Sequence, residues 1–194
     1  MNIIISMTLF LLRHEKRFSE PTFFTSLTDE GLKDSELLTK KFNEIKPDII
    51  LCSPFLRCIQ TIYPYISQSD KKINIEYSLY EFMDNPIFTN KNYKHQVSEL
   101  YNKYPQFKKI INEDYMSYLT SEQIIFPQNT TSELNKRLIP FVKHLIRTYE
   151  NTDIKILLVS HMGIVSSIKE IILTGNGPGN IPQFNMGHIE RLTL

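Results

Sequence analysis

Apolar and polar positions follow one another along the chain in blocks that predict strands separated by helices. Apolar runs at 3–12, 48–52 and 154–159 are short and bounded by polar residues, as are the buried strands of a parallel sheet. The segments between them carry apolar residues every three or four positions, which is typical of helices with one buried face. This order of elements predicts an α/β fold: a three-layer sandwich in which a mostly parallel central sheet is flanked by helices.

Local signals predict where the helices begin. Thr28 precedes two acidic residues, which favour the first turn of a helix, and Thr130 and Glu133 have the spacing of a capping box. The apolar face of the first helix is predicted to consist of Leu32, Leu37, Leu38 and Phe42. The other predicted elements are helices at 54–66, 130–149 and 164–173, and strands at 73–77 and 189–194.

The strand pattern stops between 79 and 128, where aromatic residues mix with lysine, glutamate and asparagine. We expect a helical insertion in this segment, with helices at 92–104 and 107–119, that closes over the functional site. No linker or internal repeat divides the chain, so residues 1–194 are predicted to form a single domain.

Composition and charge exclude several classes of partner. The formal net charge is +1 for 194 residues, whereas general binding to nucleic acid or to a membrane surface usually needs a clustered basic excess. The apolar run at 3–12 is too short to span a bilayer and lacks the features of a cleaved signal. Two cysteines, Cys52 and Cys58, are too few for a disulfide framework. We therefore expect a cytoplasmic protein without a nucleic-acid or membrane partner.

Two strands that are far apart in the chain are each predicted to end in a histidine. Arg13 and His14 follow the first apolar run, and Ser160 and His161 follow the last long one. Ligands of open α/β sheets lie beyond the carboxyl ends of parallel strands, so we expect both histidines in one site. Arg57 is placed on the opening turn of a helix beside the same edge, where a guanidinium and a helix N-terminus both favour an anion. These residues predict an oxyanion-binding site.

Several short motifs resemble, in order and spacing, those of the histidine phosphatase superfamily, which includes phosphoglycerate mutases and acid phosphatases. The motifs are Arg13-His14, then Ser53-Pro54-x-x-Arg57-x-x-Gln60-Thr61, then Glu81, then Ser160-His161. The resemblance runs from about residue 8 to the C-terminus. It implies a phosphoglycerate mutase-like fold and phosphomonoester hydrolysis through a phosphohistidine intermediate.

The resemblance implies that His14 is the nucleophile. A nucleophilic imidazole must be neutral on the attacking nitrogen, and the nearby charges of Arg13 and Arg57 are expected to lower the pKa of His14. No pair among the five histidines has metal-ligand spacing, so we expect neither a metal ion nor another cofactor.

The remaining roles also follow from the resemblance. His161 would donate to the phosphoryl oxygens, and Arg17, with Arg13 and Arg57, would neutralise the charge on them. Ser53 would bind phosphate or cap the following helix. Glu81 occupies the family position of the general acid, and partial burial is expected to raise its pKa.

Within the superfamily, the chain is similar to the phosphatase domains of the suppressor-of-T-cell-receptor-signalling proteins. The strings that carry this similarity are Arg13-His14-Glu15-Lys16-Arg17, Leu27 to Leu32 and Leu79 to Phe82. Glu15 departs from the pattern, because the family has glycine there. We expect the Glu15 carboxylate to point to solvent or to pair with Lys16 or Arg17.

Three other functions compete with this interpretation. A catalytically weak or inactive member could act as a protein-binding module, which only Glu15 favours. A cysteine-dependent phosphatase needs five residues between its cysteine and arginine, whereas Cys52 and Arg57 have four between them. A mutase would carry a glycine-leucine-arginine-glutamate string that is missing. The leading interpretation is a phosphatase, active on a phosphorylated small molecule or a phosphoprotein, and a homodimer is left open.

Overall fold

A computed structural model describes residues 6–82, 95–124 and 130–194. The strands are β1 (Thr8–Arg13), β2 (Ile49–Cys52), β3 (Asn74–Ile75), β4 (Lys155–Ser160) and β5 (Ile189–Thr193). The helices are α1 (Asp29–Ile45), α2 (Leu56–Ile66), α3 (Ser98–Tyr101), α4 (Gln106–Ile110), α5 (Thr131–Tyr149) and α6 (Met162–Thr174). Among these described residues, no helix combines the length and apolarity needed to cross a bilayer.

The strands form one sheet in the order β3-β2-β4-β1-β5, and all neighbours are parallel except β5, which pairs antiparallel with β1. Side chains alternate across this sheet. Phe10 and Leu12 of β1 pack with α1 and α2 on one face, whereas Leu9 and Leu11 pack with α5 and α6 on the other. The predicted α/β sandwich with a mostly parallel sheet is confirmed.

Both predicted helix starts are confirmed. Thr28 caps α1 by accepting a hydrogen bond from the Gly31 backbone N–H at 3.1 Å, and the capping box at the start of α5 is formed.

The predicted buried face of α1 is partly wrong, since Leu32 and Leu37 are 39% and 73% exposed. Gly31 lies on the buried face instead, because a Cβ there would meet the Lys16 carbonyl oxygen at 2.1 Å.

The predicted insertion contains less helix than expected. Of the helices predicted at 92–104 and 107–119, only the short α3 and α4 form, and residues 83–94 and 125–129 lie outside the described part of the chain. The chain leaves α4 because Ile111 pairs with Ile73 beside β3. The carboxylate of Glu76 then accepts hydrogen bonds from Tyr115, Ser117 and the Tyr118 backbone. Long-range contacts therefore override the local helical pattern.

The predicted strand at 73–77 is also shorter than expected. β3 has two residues, and a 3-10 turn, Tyr77–Leu79, follows it. The Glu76 side chain caps this turn by accepting from the Ser78 backbone N–H at 2.8 Å. This turn leads directly into Glu81, so the end of the sheet and the predicted acid are only a few residues apart.

Candidate active site

The parallel register of the sheet brings the two distant histidines together. Arg13 at the end of β1 is paired with Ser160 at the end of β4, so the residues that follow, His14 and His161, leave the sheet side by side. Their ring centroids lie 5.3 Å apart in an edge-to-face arrangement. The prediction that both histidines lie at one carboxyl edge of the sheet agrees with this geometry.

His14 is held in one tautomer. Its Nδ1 lies 2.7 Å from the backbone carbonyl oxygen of Glu15, and a carbonyl can only accept, so Nδ1 carries the proton and Nε2 keeps its lone pair. The ring is buried, and burial, with the charge of Arg57, lowers the pKa of His14 well below its usual range. A neutral imidazole with an unprotonated Nε2 is the form that a nucleophile requires.

Thr61, for which no role was predicted from the sequence, supports this arrangement. Its hydroxyl accepts a hydrogen bond from the Glu15 backbone N–H at 3.0 Å and donates to the Arg57 carbonyl at 2.7 Å. It thereby ties the peptide next to His14 to α2. The available signal was its spacing, because Thr61 lies four residues after Arg57 and so on the same side of the helix.

Glu81 lies between the predicted phosphate ligands. Its Oε2 accepts a hydrogen bond from Arg57 Nη2 at 3.1 Å and lies 3.1 Å from His161 Nδ1. Its Oε1 accepts from the Phe82 backbone N–H at 3.0 Å. The carboxylate therefore contacts Arg57 and His161, two of the four side chains that are predicted to hold the phosphoryl oxygens.

The expected raised pKa of Glu81 is wrong for this arrangement. Burial by itself favours the neutral acid, but the hydrogen bond from His161 and the positive charge of Arg57 outweigh it and lower the pKa of Glu81 below its ordinary value. Burial lowers the pKa of His161 to about 4 in spite of the adjacent carboxylate. At neutral pH, Glu81 is therefore ionised and His161 is neutral.

Ser53 does not cap α2. The helix begins at Leu56 rather than Pro54, and Phe55 at its N-cap makes no side-chain capping bond. The Ser53 hydroxyl lies 2.8 Å from His161 Nε2 instead. Ser53 therefore orients the His161 ring so that its Nδ1 faces Glu81.

The guanidinium groups of Arg57 and Arg13 are fixed by backbone carbonyls. Arg57 is fully buried and donates from Nη1 to the Thr22 carbonyl at 2.8 Å, and Arg13 donates to the Phe184 carbonyl at 2.7 Å. In both, Nε is buried without a hydrogen-bond partner among the described residues. Unpaired buried donors are costly, so an oxyanion that reached these Nε atoms would satisfy hydrogen bonds that the described residues leave unmade.

Arg17 is anchored on its own loop. Its Nη1 donates to the Phe18 and Ser19 carbonyls at 2.6 and 2.8 Å. Burial, followed by the charge of Arg57, lowers the pKa of Arg17, and Glu81 acts in the opposite direction. Arg17 therefore lies close enough to Arg57 and Glu81 to interact with them electrostatically.

A family model of the histidine phosphatase superfamily (branch 1) matches residues 12–193. The chain belongs to this family. A comparison of its sequence with curated proteins finds no match. Membership of this family supports phosphomonoester hydrolysis through a histidine intermediate.

Solved structures of phosphatases share the fold of this histidine phosphatase. The ecdysone phosphate phosphatase of Bombix mori, solved with tungstate, matches with a TM-score of 0.72 and 17% identity over 95% of this chain and 88% of its own. The alpha-ribazole phosphatase of Shigella flexneri matches with a TM-score of 0.60 and 20% identity over 95% and 89% of the two chains. For a phosphoserine phosphatase mutant of Entamoeba histolytica, solved with phosphoserine, the values are 0.58 and 18% over 95% and 89%.

Glu15, which replaces the family's glycine, lies against Gly187. A Cβ on Gly187 would be 1.8 Å from Glu15 Oε1. Glu15 as a whole residue is 5% exposed, and Lys16 pairs with Glu30 and Asp34 rather than with Glu15. The expectation of a solvent-facing or paired carboxylate is therefore wrong.

Glu15 also causes little conflict with the predicted anion site. Its φ is not positive, so this backbone does not require glycine. Burial, followed by the charge of Asp34, raises the pKa of Glu15, and lysines 16 and 41 act in the opposite direction. The charges that act most on it are thus those beside α1, not the arginines around His14.

The side chains of His14, Glu81 and His161 are the only His, Cys, Asp and Glu group in the described part of the chain that could hold a metal ion. One potential ligand atom from each lies within 4.8 Å of the others. The guanidinium of Arg57, however, lies 3.1 Å from the Glu81 carboxylate, and its charge opposes a second cation. The local electrostatics favour an anion.

Both cysteines are free and buried. Burial, with the neighbouring Cys58, raises the pKa of Cys52 well above its usual value, and burial raises the pKa of Cys58 to about 12. Neither thiol is therefore available as a thiolate nucleophile, and the cysteine-dependent alternative loses its support.

Proposed function

We propose that this protein hydrolyses phosphomonoesters through a phosphohistidine on His14 and that it needs no metal ion. The observation that carries the proposal is the buried, neutral His14, whose protonated Nδ1 is tied to the Glu15 carbonyl while Nε2 stays free. Arg13 and Arg57 supply fixed positive charge next to it. This combination of a nucleophile with preorganised cations is what phosphoryl transfer requires.

The reaction would proceed in two steps. His14 Nε2 attacks phosphorus, the ester P–O bond breaks, and Glu81 donates a proton to the leaving alkoxide. Water then attacks the phosphorus of the phosphohistidine, the P–N bond breaks, and Glu81 accepts the proton that water releases. Phosphate leaves and His14 returns to its neutral form. Arg13, Arg17 and Arg57 hold the phosphoryl oxygens throughout.

The ionised state of Glu81 determines how the proton arrives. A phosphate group that binds Arg57 and His161 takes over the contacts that now stabilise the Glu81 carboxylate, and its negative charge also raises the pKa of Glu81. A substrate monoanion carries one proton more than the dianion and can deliver it to Glu81 on binding. We therefore propose that the productive pair is ionised enzyme with monoanionic substrate.

This proton balance predicts an acidic pH optimum. The second pKa of a phosphomonoester is about 6, so kcat/KM on an alkyl phosphate should fall about tenfold per pH unit above that value. Below it, kcat/KM should hold through the range in which a histidine usually titrates, because the pKa of His14 is lowered. Initial rates from about pH 4.5 to about pH 8 at constant ionic strength test this expectation. A rise in kcat/KM between pH 6 and 8 would contradict it.

Purified protein is expected to hydrolyse an activated aryl phosphate in the presence of a chelator, because the histidines and arginines suffice for phosphoryl transfer. Steady-state rates with EDTA, and after re-addition of zinc or magnesium, should agree within about twofold, a difference of under 0.5 kcal/mol in the barrier. Tungstate, a tetrahedral oxyanion, should compete with the substrate. Loss of activity in the chelator and recovery with metal would overturn the metal-free mechanism, and complete inactivity would favour the protein-binding alternative.

We also propose that the substrate is a phosphorylated small molecule. The names of the structural neighbours refer to phosphoserine, ecdysone phosphate and alpha-ribazole, which favours a phosphorylated small molecule over a phosphoprotein as substrate. Similarity to the suppressor-of-T-cell-receptor-signalling branch rests on the short strings at 13–17, 27–32 and 79–82. A cytoplasmic location and a homodimer complete the proposal, and size-exclusion chromatography with light scattering tests the latter.

A further inference from the structure

Arg137 is a buried cation on the apolar face of α5. It lies between the core residues Leu134 and Leu138 and is 7% exposed. Its Nη2 donates to the Tyr80 carbonyl at 2.9 Å, whereas its Nε and Nη1 have no partner among the described residues. Burying a guanidinium with so few acceptors is costly, so its one hydrogen bond calls for an explanation.

The bond lies directly beside the proposed acid. The Tyr80 carbonyl belongs to the peptide unit that joins Tyr80 to Glu81, so Arg137 holds the backbone from which the Glu81 side chain extends. The preceding carbonyl, that of Leu79, accepts a hydrogen bond from the Ser160 hydroxyl at 2.8 Å. Two consecutive carbonyls are thus fixed by side chains from α5 and from the end of β4, next to His161.

We propose that Arg137 is a positioning residue for Glu81: through the Tyr80 carbonyl it holds the carboxylate between Arg57 and His161, where it can exchange a proton with the leaving group. This inference rests on the proposed role of Glu81 as general acid. Displacement of an acid by an ångström is enough to slow proton transfer, so the contact matters for catalysis rather than for substrate binding.

Electrostatics is consistent with this role. Burial lowers the pKa of Arg137 to about 9, and the charge of Glu81 acts against this lowering. Arg137 therefore stays a cation throughout the acidic range in which the enzyme is expected to work. A lysine at this position could keep one donor to the Tyr80 carbonyl, whereas methionine fills similar space without a donor.

The test compares Arg137→Met and Arg137→Lys with Lys136→Met, a matched control that removes a positive charge from an exposed neighbouring position. Arg137→Met should lower kcat on an alkyl phosphate by about tenfold to hundredfold, part of the ~10²–10⁴ that general acid catalysis supplies. On an activated aryl phosphate, whose leaving group needs no proton, the loss should stay below about threefold. Arg137→Lys should lie between Arg137→Met and the unaltered protein, and Lys136→Met should match the unaltered protein.

Further measurements separate positioning from a structural role. In a Glu81→Gln background, Arg137→Met should cause no additional loss on the alkyl phosphate, because the acid is already absent. Equal losses on both substrates would overturn the inference, and if Arg137→Met does not fold, the same comparison applies to Arg137→Lys. If Glu81→Gln loses more activity on the alkyl than on the aryl phosphate but the Arg137 variants do not, only the positioning role of Arg137 is overturned. If Glu81→Gln itself loses equal activity on both substrates, the role of Glu81 as general acid is overturned, and this inference with it.

Discussion

Replacing His14 with alanine is expected to abolish turnover, with a loss of at least about 10³-fold in kcat on every phosphomonoester, since the nucleophile is removed. The fold should persist, because the lost Nδ1 hydrogen bond to the Glu15 carbonyl contributes only about 1 kcal/mol. His14→Gln is a second variant that retains a donor near this carbonyl and still lacks a nucleophile. Steady-state kinetics and thermal unfolding of both variants provide the measurement.

A trapping experiment makes this prediction specific to a phosphohistidine. Rapid quenching of the unaltered protein with labelled substrate should yield a base-stable, acid-labile phosphoprotein, and neither His14 variant should yield any. His144→Ala is a suitable control, because His144 is exposed on α5, stacks on Tyr118 and should retain full activity. A labelled His14→Ala protein, or one with near-normal turnover, would assign the nucleophile to another residue.

Replacing Glu81 with glutamine is expected to separate substrates by leaving group. Glutamine retains the shape of the side chain but cannot exchange the proton, so kcat/KM on an alkyl phosphate should fall by about 10²–10⁴. On an activated aryl phosphate the loss should be less than about tenfold, because a good leaving group departs without a proton. The measurement is kcat/KM of both proteins on a series of phosphate esters with graded leaving-group pKa values. As the leaving-group pKa rises, kcat/KM should fall more steeply for Glu81→Gln than for the unaltered protein.

Glu113→Gln is a matched control for this experiment, since Glu113 is 63% exposed on the surface of the insertion. It should leave both substrates unaffected. Similar losses on aryl and alkyl phosphates in Glu81→Gln would show that Glu81 holds Arg57 and His161 in place but does not donate a proton. The acid would then have to come from another group or from the substrate itself.

The location of the site could be predicted from the sequence because it depends on local patterns. Apolar runs predicted the parallel strands, and the residues that follow them, His14 and His161, had to meet at one carboxyl edge once the strands were adjacent. Arg57 could be placed because proline and the apolar period indicated a helix start within two residues of the observed one. The caps at Thr28 and Thr130 rest on equally local hydrogen bonds.

The insertion shows where local pattern failed. Its sequence predicts two full helices, yet the chain turns away after α4 because Ile111 bridges to Ile73 and Glu76 collects three donors from residues 115–118. A buried carboxylate gains more from several good donors than a short helix gains from its own backbone bonds. This preference depends on residues that are distant in the chain, so it cannot be inferred from hydrophobic period.

What the sequence determined by itself, then, was the family motif, the sheet edge and the identity of the residues around His14. Only the tertiary structure decided the protonation and support of those residues. Ser53 orients His161 instead of capping a helix, Glu81 is ionised between the Arg57 cation and the neutral His161, and Arg137 reaches from α5 to the backbone beside it. The physical reason is that a pKa and a hydrogen-bond partner depend on which charges and carbonyls lie within a few ångströms, and packing of distant segments sets those neighbours.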